Sequence, residues 1–139
     1  MSADYILAID YGTKNVGLAL ASVIAKIPAP YDTYENNDSL VDRIKELIDK
    51  ESVNVVVVGL PRNLQGNDTE QTNITRDFVK KLANIEAKIV LQDEAATSYL
   101  AEKELSDIKH KKNSNITVDS LAACYILRDY INEEYGYAN

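Results

Sequence analysis

Four acidic side chains stand where a folded sheet could aim them at one place. Asp10 ends the apolar run DYILAID, Asp93 and Glu94 follow the apolar run AKIVLQ, and Asp119 opens the last helical segment. Ligands of α/β proteins gather beyond the carboxyl ends of strands, so we expect Asp10 and Glu94 to share one sheet edge. Clustered carboxylates suit hard divalent ions such as Mg²⁺ or Mn²⁺, and pairs of such ions support phosphodiester cleavage.

Each acid also has a plain structural explanation. Asp10 precedes a YG pair that favours a turn, and the helix dipole stabilises acids in a first helical turn, which suits Glu94 and Asp119. A buried, unpaired carboxylate is costly, however, and a bound cation would offset that cost at Asp10. A third interpretation is the phosphate-binding hairpin of actin-like ATPases and sugar kinases, with Gly12 and Thr13 holding ATP phosphates. Those enzymes need a second domain, for which 139 residues leave no room.

The composition is that of an ordinary globular chain, 45% hydrophobic and 27% charged. One cysteine, Cys124, is too few for a disulfide framework or a thiolate metal cluster. The net charge of -7 argues against generic polyanion binding, although the basic segment KHKK, from Lys109 to Lys112, can meet phosphates locally. No apolar run approaches about 20 residues and no secretory signal is recognisable, so we expect one cytoplasmic domain over 1–139 with no membrane partner.

The hydrophobic pattern predicts an antiparallel start followed by alternating helices and strands. We predict strands at 4–10, 15–22, 26–35, 53–61 and 87–92, and helices at 40–48, 72–82, 93–105 and 117–135. The third strand carries two prolines and should be short and at an edge. In the second strand, Gly17, Ala19 and Ala21 form a small face against which another element should pack closely. This order predicts an α/β fold with a five-stranded mixed sheet and helices on both faces.

Four motifs identify the family that this chain resembles. LAIDYGTKNVGLALAS, VVVGLPRNLQGNDTEQT, LQDEAATS and VDSLAA follow the order typical of the YqgF/RuvX family, known as Holliday junction resolvases and as pre-16S rRNA nucleases. The resemblance runs from Ile6 to about Tyr130 and implies an RNase H-like fold. It also implies a cytoplasmic nuclease that uses Mg²⁺ or Mn²⁺. Asp10, Glu94 and Asp119 would then be the catalytic, metal-binding carboxylates that let water attack a phosphodiester.

With the resemblance in place, further residues gain candidate roles. Asp93 is a candidate helper acid, whereas His110, the only histidine, is expected to be an exposed loop residue rather than a general base. The candidates for holding the nucleic-acid backbone are Lys14, Arg62, Asn63, Lys111 and Lys112.

The chain departs from the family pattern at three positions. The family commonly has a basic residue at the position of Asn15, an acid at that of Ser22 and arginine at that of Ala95. Losing a guanidinium should weaken binding of the substrate phosphates more than binding of the metal. The leading expectation is maturation of the 5′ end of pre-16S rRNA, in contact with ribosomal particles, by a monomer or homodimer. The alternatives are a nuclease acting on structured DNA, such as a Holliday junction, and a nucleic-acid or ribosome binding module with a weakened site.

Overall fold

Apolar strands form the centre of a mixed sheet. The computed structural model describes residues 4–94 and 117–136. The strands are β1 (Tyr5–Tyr11), β2 (Asn15–Ser22), β3 (Ala29–Glu35), β4 (Val53–Pro61) and β5 (Lys88–Glu94), and the helices are α1 (Leu40–Lys50), α2 (Glu70–Lys81) and α3 (Val118–Tyr135). The strand order is β3-β2-β1-β4-β5, with β1, β2 and β3 antiparallel and β1, β4 and β5 parallel. The predicted five-stranded mixed sheet and the edge position of β3 are confirmed.

Apolar side chains cover the sheet on both faces. Helices α1 and α2 cover one face with a cluster that includes Ile44, Leu47, Phe78, Leu82, Leu7, Ile9, Val56 and Val58. Helix α3 covers the other face with a cluster that includes Ala123, Ile126, Leu127, Ile6, Ala8, Ala19, Ala21 and Val57. The small face of β2 therefore packs against α3, as its alternating small residues predict.

The fifth strand is longer than the sequence predicts. Asp93 and Glu94 belong to β5, where they pair in register with Leu60 and Pro61 of β4. The prediction that a helix begins at Asp93 was therefore wrong. Acids favour the first turn of a helix, but here the parallel pairing with β4 decides the local structure. The remainder of that predicted helix and the KHKK loop lie outside the described residues.

Threonine and serine hydroxyl groups cap the first turns of α2 and α3. Helix α2 begins two residues before its predicted start because Thr69 and Thr72 cap its first turn reciprocally. Helix α3 begins after the same arrangement of Thr117 and Ser120. No helix within residues 4–94 and 117–136 combines the length and the apolar character needed to cross a bilayer.

Candidate active site

Asp10 lies at the carboxyl end of β1, on the face that α3 covers. Side chains alternate along a strand, so Asp10 shares this face with Ile6 and Ala8, both fully buried. Burial, together with the negative charges on Glu94 and Asp119, raises the pKa of Asp10 from 3.8 to about 7. The three carboxylates singled out in the sequence are therefore within electrostatic reach of one another.

A glycine in β2 lets the first turn of α3 approach Asp10. Gly17 is the register partner of Asp10. A Cβ added at Gly17 would overlap the backbone carbonyl of Asp119 and lie 2.9 Å from Asp119 Cβ. The hydroxyl of Thr117, the N-cap residue of α3, shares a hydrogen bond of 2.6 Å with the hydroxyl of Thr33 in β3. The helix start is thus held against the sheet, and burial raises the pKa of Asp119 as well.

A second glycine opens the space between Asp10 and Glu94. Continuing the β1–β4 register by one residue places Gly59 beside Asp10, in the strand that separates β1 from β5. A Cβ at Gly59 would lie 2.7 Å from Glu94 Oε2 and would overlap the side chain of Ile126. The Glu94 carboxylate therefore extends over Gly59, on the strand next to Asp10. Sequence reasoning missed this role, although a glycine that interrupts a run of valines is a signal for close approach.

The donor set suits a hard divalent cation. Three carboxylates arrive from β1, β5 and α3, and a cation among them would offset the burial and repulsion that raise the pKa of Asp10. Among the described residues, no three His, Cys, Asp or Glu side chains already form a metal-binding group. Strands β1 and β5 lie about 10 Å apart across β4, and the carboxylates repel each other. Binding of a cation would therefore require the side chains of Asp10, Glu94 and Asp119 to move closer together.

The Asp10→Asn variant is expected to stabilise the metal-free protein, more at pH 8 than at pH 5. Asp10 ionises near pH 3.8 in the unfolded chain and near pH 7 in the folded chain. The folded state therefore binds more protons between these values, and the free energy of unfolding falls as the pH rises through this window. One pKa unit corresponds to about 1.4 kcal/mol, and since Asp10 is only partly shielded from water we expect a gain of about 2 kcal/mol at pH 8.

Urea unfolding in EDTA at the two pH values measures this gain. The control is Asp49→Asn, which changes an exposed acid in the last turn of α1. An Asp10→Asn protein no more stable than wild type at pH 8 would show that the buried charge imposes no penalty.

Arg62 and Asp93 bind each other beside the carboxylate group. Arg62 Nε donates to Asp93 Oδ1 at 3.0 Å, and Arg62 Nη1 donates to Asp68 Oδ1 at 2.5 Å. Asp68 also accepts from Arg76 at 2.5 Å, and this bond lowers the pKa of Asp68. The backbone N–H of Arg62 donates to the carbonyl of Glu94 at 3.2 Å. The Arg62 guanidinium therefore already holds two carboxylates, which use two of its five N–H donors.

Asn63 organises its own loop. Its Oδ1 accepts the backbone N–H groups of Gln65 at 3.0 Å and of Asn67 at 2.8 Å. Lys14 is exposed in the turn that follows β1, at the same sheet edge as Asp10. Asn15 opens β2 at this edge, whereas Ser22 closes β2 at the opposite one. The sequence candidates outside the described residues are Lys111, Lys112, His110 and Ala95.

Two solved structures share the fold. The structure titled T. thermophilus RuvC in complex with Holliday junction substrate matches with a TM-score of 0.57 and 14% identity, covering 95% of this chain and 96% of that one. The Fowlpox virus resolvase in complex with Holliday junction DNA matches with a TM-score of 0.51 and 15% identity, covering 94% and 98%. At these identities the likeness establishes the RNase H-like fold alone.

Closer relatives and a family model establish the family. A protein of Sulfurihydrogenibium sp. (strain YO3AOP1), named "Putative pre-16S rRNA nuclease", is 35% identical over 130 residues, covering 91% of this chain and 89% of the relative. A protein of the same name from Francisella tularensis subsp. tularensis (strain WY96-3418) is 34% identical over 131 residues, covering 92% and 96%. The model of the family RuvX, described as Holliday junction resolvase, matches residues 4–133. With its sheet, its carboxylates and its motifs in this order, the chain belongs to the RuvX family.

Proposed function

We propose that this chain is a divalent-metal-dependent endonuclease that cleaves precursor 16S rRNA in the maturation of its 5′ end. The observation that supports this most is that Asp119 packs over Gly17 and the Glu94 carboxylate over Gly59, both beside Asp10, whose pKa their negative charges raise. Both relatives described above carry the name of a nuclease for this RNA. The substrate, the metal and a cytoplasmic location are parts of this proposal, as is contact with ribosomal particles.

Each carboxylate has its own way of reaching the metal. Mg²⁺ or Mn²⁺ held by Asp10, Glu94 and Asp119 would activate a water and offset charge on the scissile phosphate. Asp10 is the fixed member, because β1 pairs with both β2 and β4. Glu94 approaches over Gly59, and Asp119 approaches over Gly17. Asp10 must lose its proton before it binds a cation, so cation affinity should rise with pH up to about 7.

The proposed RNA path follows the same sheet edge. Lys14 is exposed there and is proposed as a phosphate contact, together with Lys111 and Lys112. Arg62 is proposed to contact a phosphate through guanidinium N–H groups other than the two that donate to Asp68 and Asp93. Asn63 is proposed to contact the strand through its amide nitrogen, because its oxygen already accepts two backbone N–H groups. Because these contacts pair basic side chains with phosphates, binding should weaken as the salt concentration rises.

The test is cleavage of a precursor 16S rRNA fragment by the purified protein. We expect cuts at the 5′ side of the mature end with Mg²⁺ or Mn²⁺, and none in EDTA. Cleavage that persists in EDTA would refute the metal-dependent mechanism, and intact precursor in both metals would refute the function.

A second candidate is the cleavage of four-way DNA junctions, which the description of the family favours. The chemistry is the same, but resolving a junction needs two coordinated cuts and hence a symmetric dimer. A junction substrate in the same assay, with the oligomeric state measured by light scattering, separates the two. Symmetric paired cuts by a dimer would favour the junction, and a monomer that cuts only the RNA would favour the precursor.

A further inference from the structure

A leucine at the tip of the loop between β4 and α2 is the most exposed large apolar side chain in the described part of the chain. Leu64 exposes 87% of its surface, and the second most exposed of these side chains, Ile24, exposes 80%. The sequence around it, RNLQGND, is otherwise polar. A single exposed leucine needs no explanation by itself. Whether Leu64 has a function therefore depends on the conformation of its loop and on where that loop lies relative to the site.

Hydrogen bonds hold this loop in one shape. Besides the two bonds to Asn63 Oδ1, the Asn63 N–H donates to the Asn67 carbonyl at 3.0 Å, and the Gly66 N–H donates to the Asn63 carbonyl at 2.9 Å. Gly66 supplies the left-handed backbone that the turn needs, with φ at 81°. Arg62 ties the base of the loop to Asp68 and Asp93. Leu64 is therefore presented to solvent by an ordered loop.

The loop leaves the sheet at the edge that carries the carboxylates. Pro61 ends β4 in register with Glu94, and the Thr72 hydroxyl donates to the Pro61 carbonyl. Three residues of chain span at most about 11 Å, so Leu64 stays within that distance of the strand end. Leu64 therefore lies near the same end of the sheet as the carboxylates.

We propose that Leu64 packs against a nucleobase of the bound strand and holds it out of the stack. This inference rests on the proposed function and adds a base contact to it. Leucine is among the apolar side chains that proteins insert between bases, and single-stranded RNA offers unstacked bases. The neighbouring Asn63, Gln65 and Asn67 are uncharged, so the tip of the loop does not repel phosphates. Gln65 and Asn67 can also meet the polar edge of the same base.

The test measures binding in EDTA, where no cleavage is expected, with a fluorescent single-stranded RNA of about 12 nucleotides. Leu64→Ala is expected to weaken binding about tenfold, because the truncation removes apolar carbon atoms that the base would bury. The salt dependence should not change, because leucine neutralises no phosphate. Leu64→Met should bind within about twofold of wild type, because its side chain is also apolar and of similar length.

The matched control is Ile24→Ala, which truncates an equally exposed side chain in the turn after β2, at the opposite sheet edge. A second readout is 2-aminopurine placed in turn at each position of the RNA. Its fluorescence should rise at one position with wild type and Leu64→Met, and not with Leu64→Ala.

Two results would overturn the inference: equal binding and equal fluorescence of Leu64→Ala and Ile24→Ala, or no RNA binding by the wild type. Failure of the proposed function is a separate result, since the Leu64-dependent signal would then remain while the precursor stays uncut in Mg²⁺ and Mn²⁺.

Discussion

Replacing Asp10 with asparagine is expected to lower the rate of precursor cleavage by about a thousandfold or more. Asparagine keeps the shape of the side chain but removes the negative charge with which Asp10 is proposed to hold a divalent cation. Losing several kcal/mol of charge stabilisation in the transition state corresponds to this factor. The rate is measured with precursor RNA in Mg²⁺ under single-turnover conditions, and Mn²⁺ binding is measured in parallel by calorimetry.

Asp49→Asn is the control, because it removes an exposed acid from the end of α1 and should cleave at the wild-type rate. Unfolding cannot account for the loss of cleavage in Asp10→Asn. This variant has no carboxylate to ionise at this position, and it is expected to be more stable than the wild type at pH 8. Equal cleavage by Asp10→Asn and wild type would eliminate Asp10 from the chemistry. A wild type that binds no Mn²⁺ would favour a nucleic-acid-binding module with a weakened site.

Local pattern predicts most of this sheet. The apolar run of β1, the alternation in β2 and the valines of β4 each indicate burial, and the prolines near the start of β3 indicate an edge strand. The sequence therefore places these four strands, although β3 begins at Ala29, three residues after its predicted start. The end of β5 is different, because Asp93 and Glu94 would suit a helix start equally well. Only their pairing with β4, which is distant in sequence, makes them part of a strand.

The sequence predicts the acids of the site and the shared sheet edge of Asp10 and Glu94, but not the contacts that surround them. The sequence singles out Asp10, Glu94 and Asp119, and the charges of the last two act on the first. That Arg62 holds two carboxylates depends on tertiary contacts that no local motif encodes. The loop role of Asn63 is different, because asparagine at the start of a polar loop often accepts backbone N–H groups two residues on. That signal was present in the sequence.

Replacing Gly17 with alanine is expected to lower the free energy of unfolding by about 2–3 kcal/mol and to slow cleavage by more than about tenfold. The added Cβ overlaps the backbone of Asp119, and overpacking of this kind costs about that much. The backbone cannot move alone, because the hydrogen bond between Thr117 and Thr33 fixes the helix start against β3. Any shift of α3 also moves Asp119 away from Asp10. Urea unfolding and single-turnover cleavage measure the two effects.

Gly59→Ala provides the comparison, because the nearest atoms to its Cβ belong to side chains, namely Cδ1 and Cγ1 of Ile126 and Oε2 of Glu94. Side-chain atoms shift more readily than a capped helix backbone, even though Ile126 is fully buried, so we expect a smaller loss of stability, about 1 kcal/mol. The carboxylate of Glu94 is nevertheless displaced, so cleavage should fall at least as far as in Gly17→Ala. If Gly59→Ala destabilises the protein more than Gly17→Ala, the helix start is not the rigid element. If it leaves cleavage unchanged, the position of Glu94 over Gly59 does not matter to the reaction.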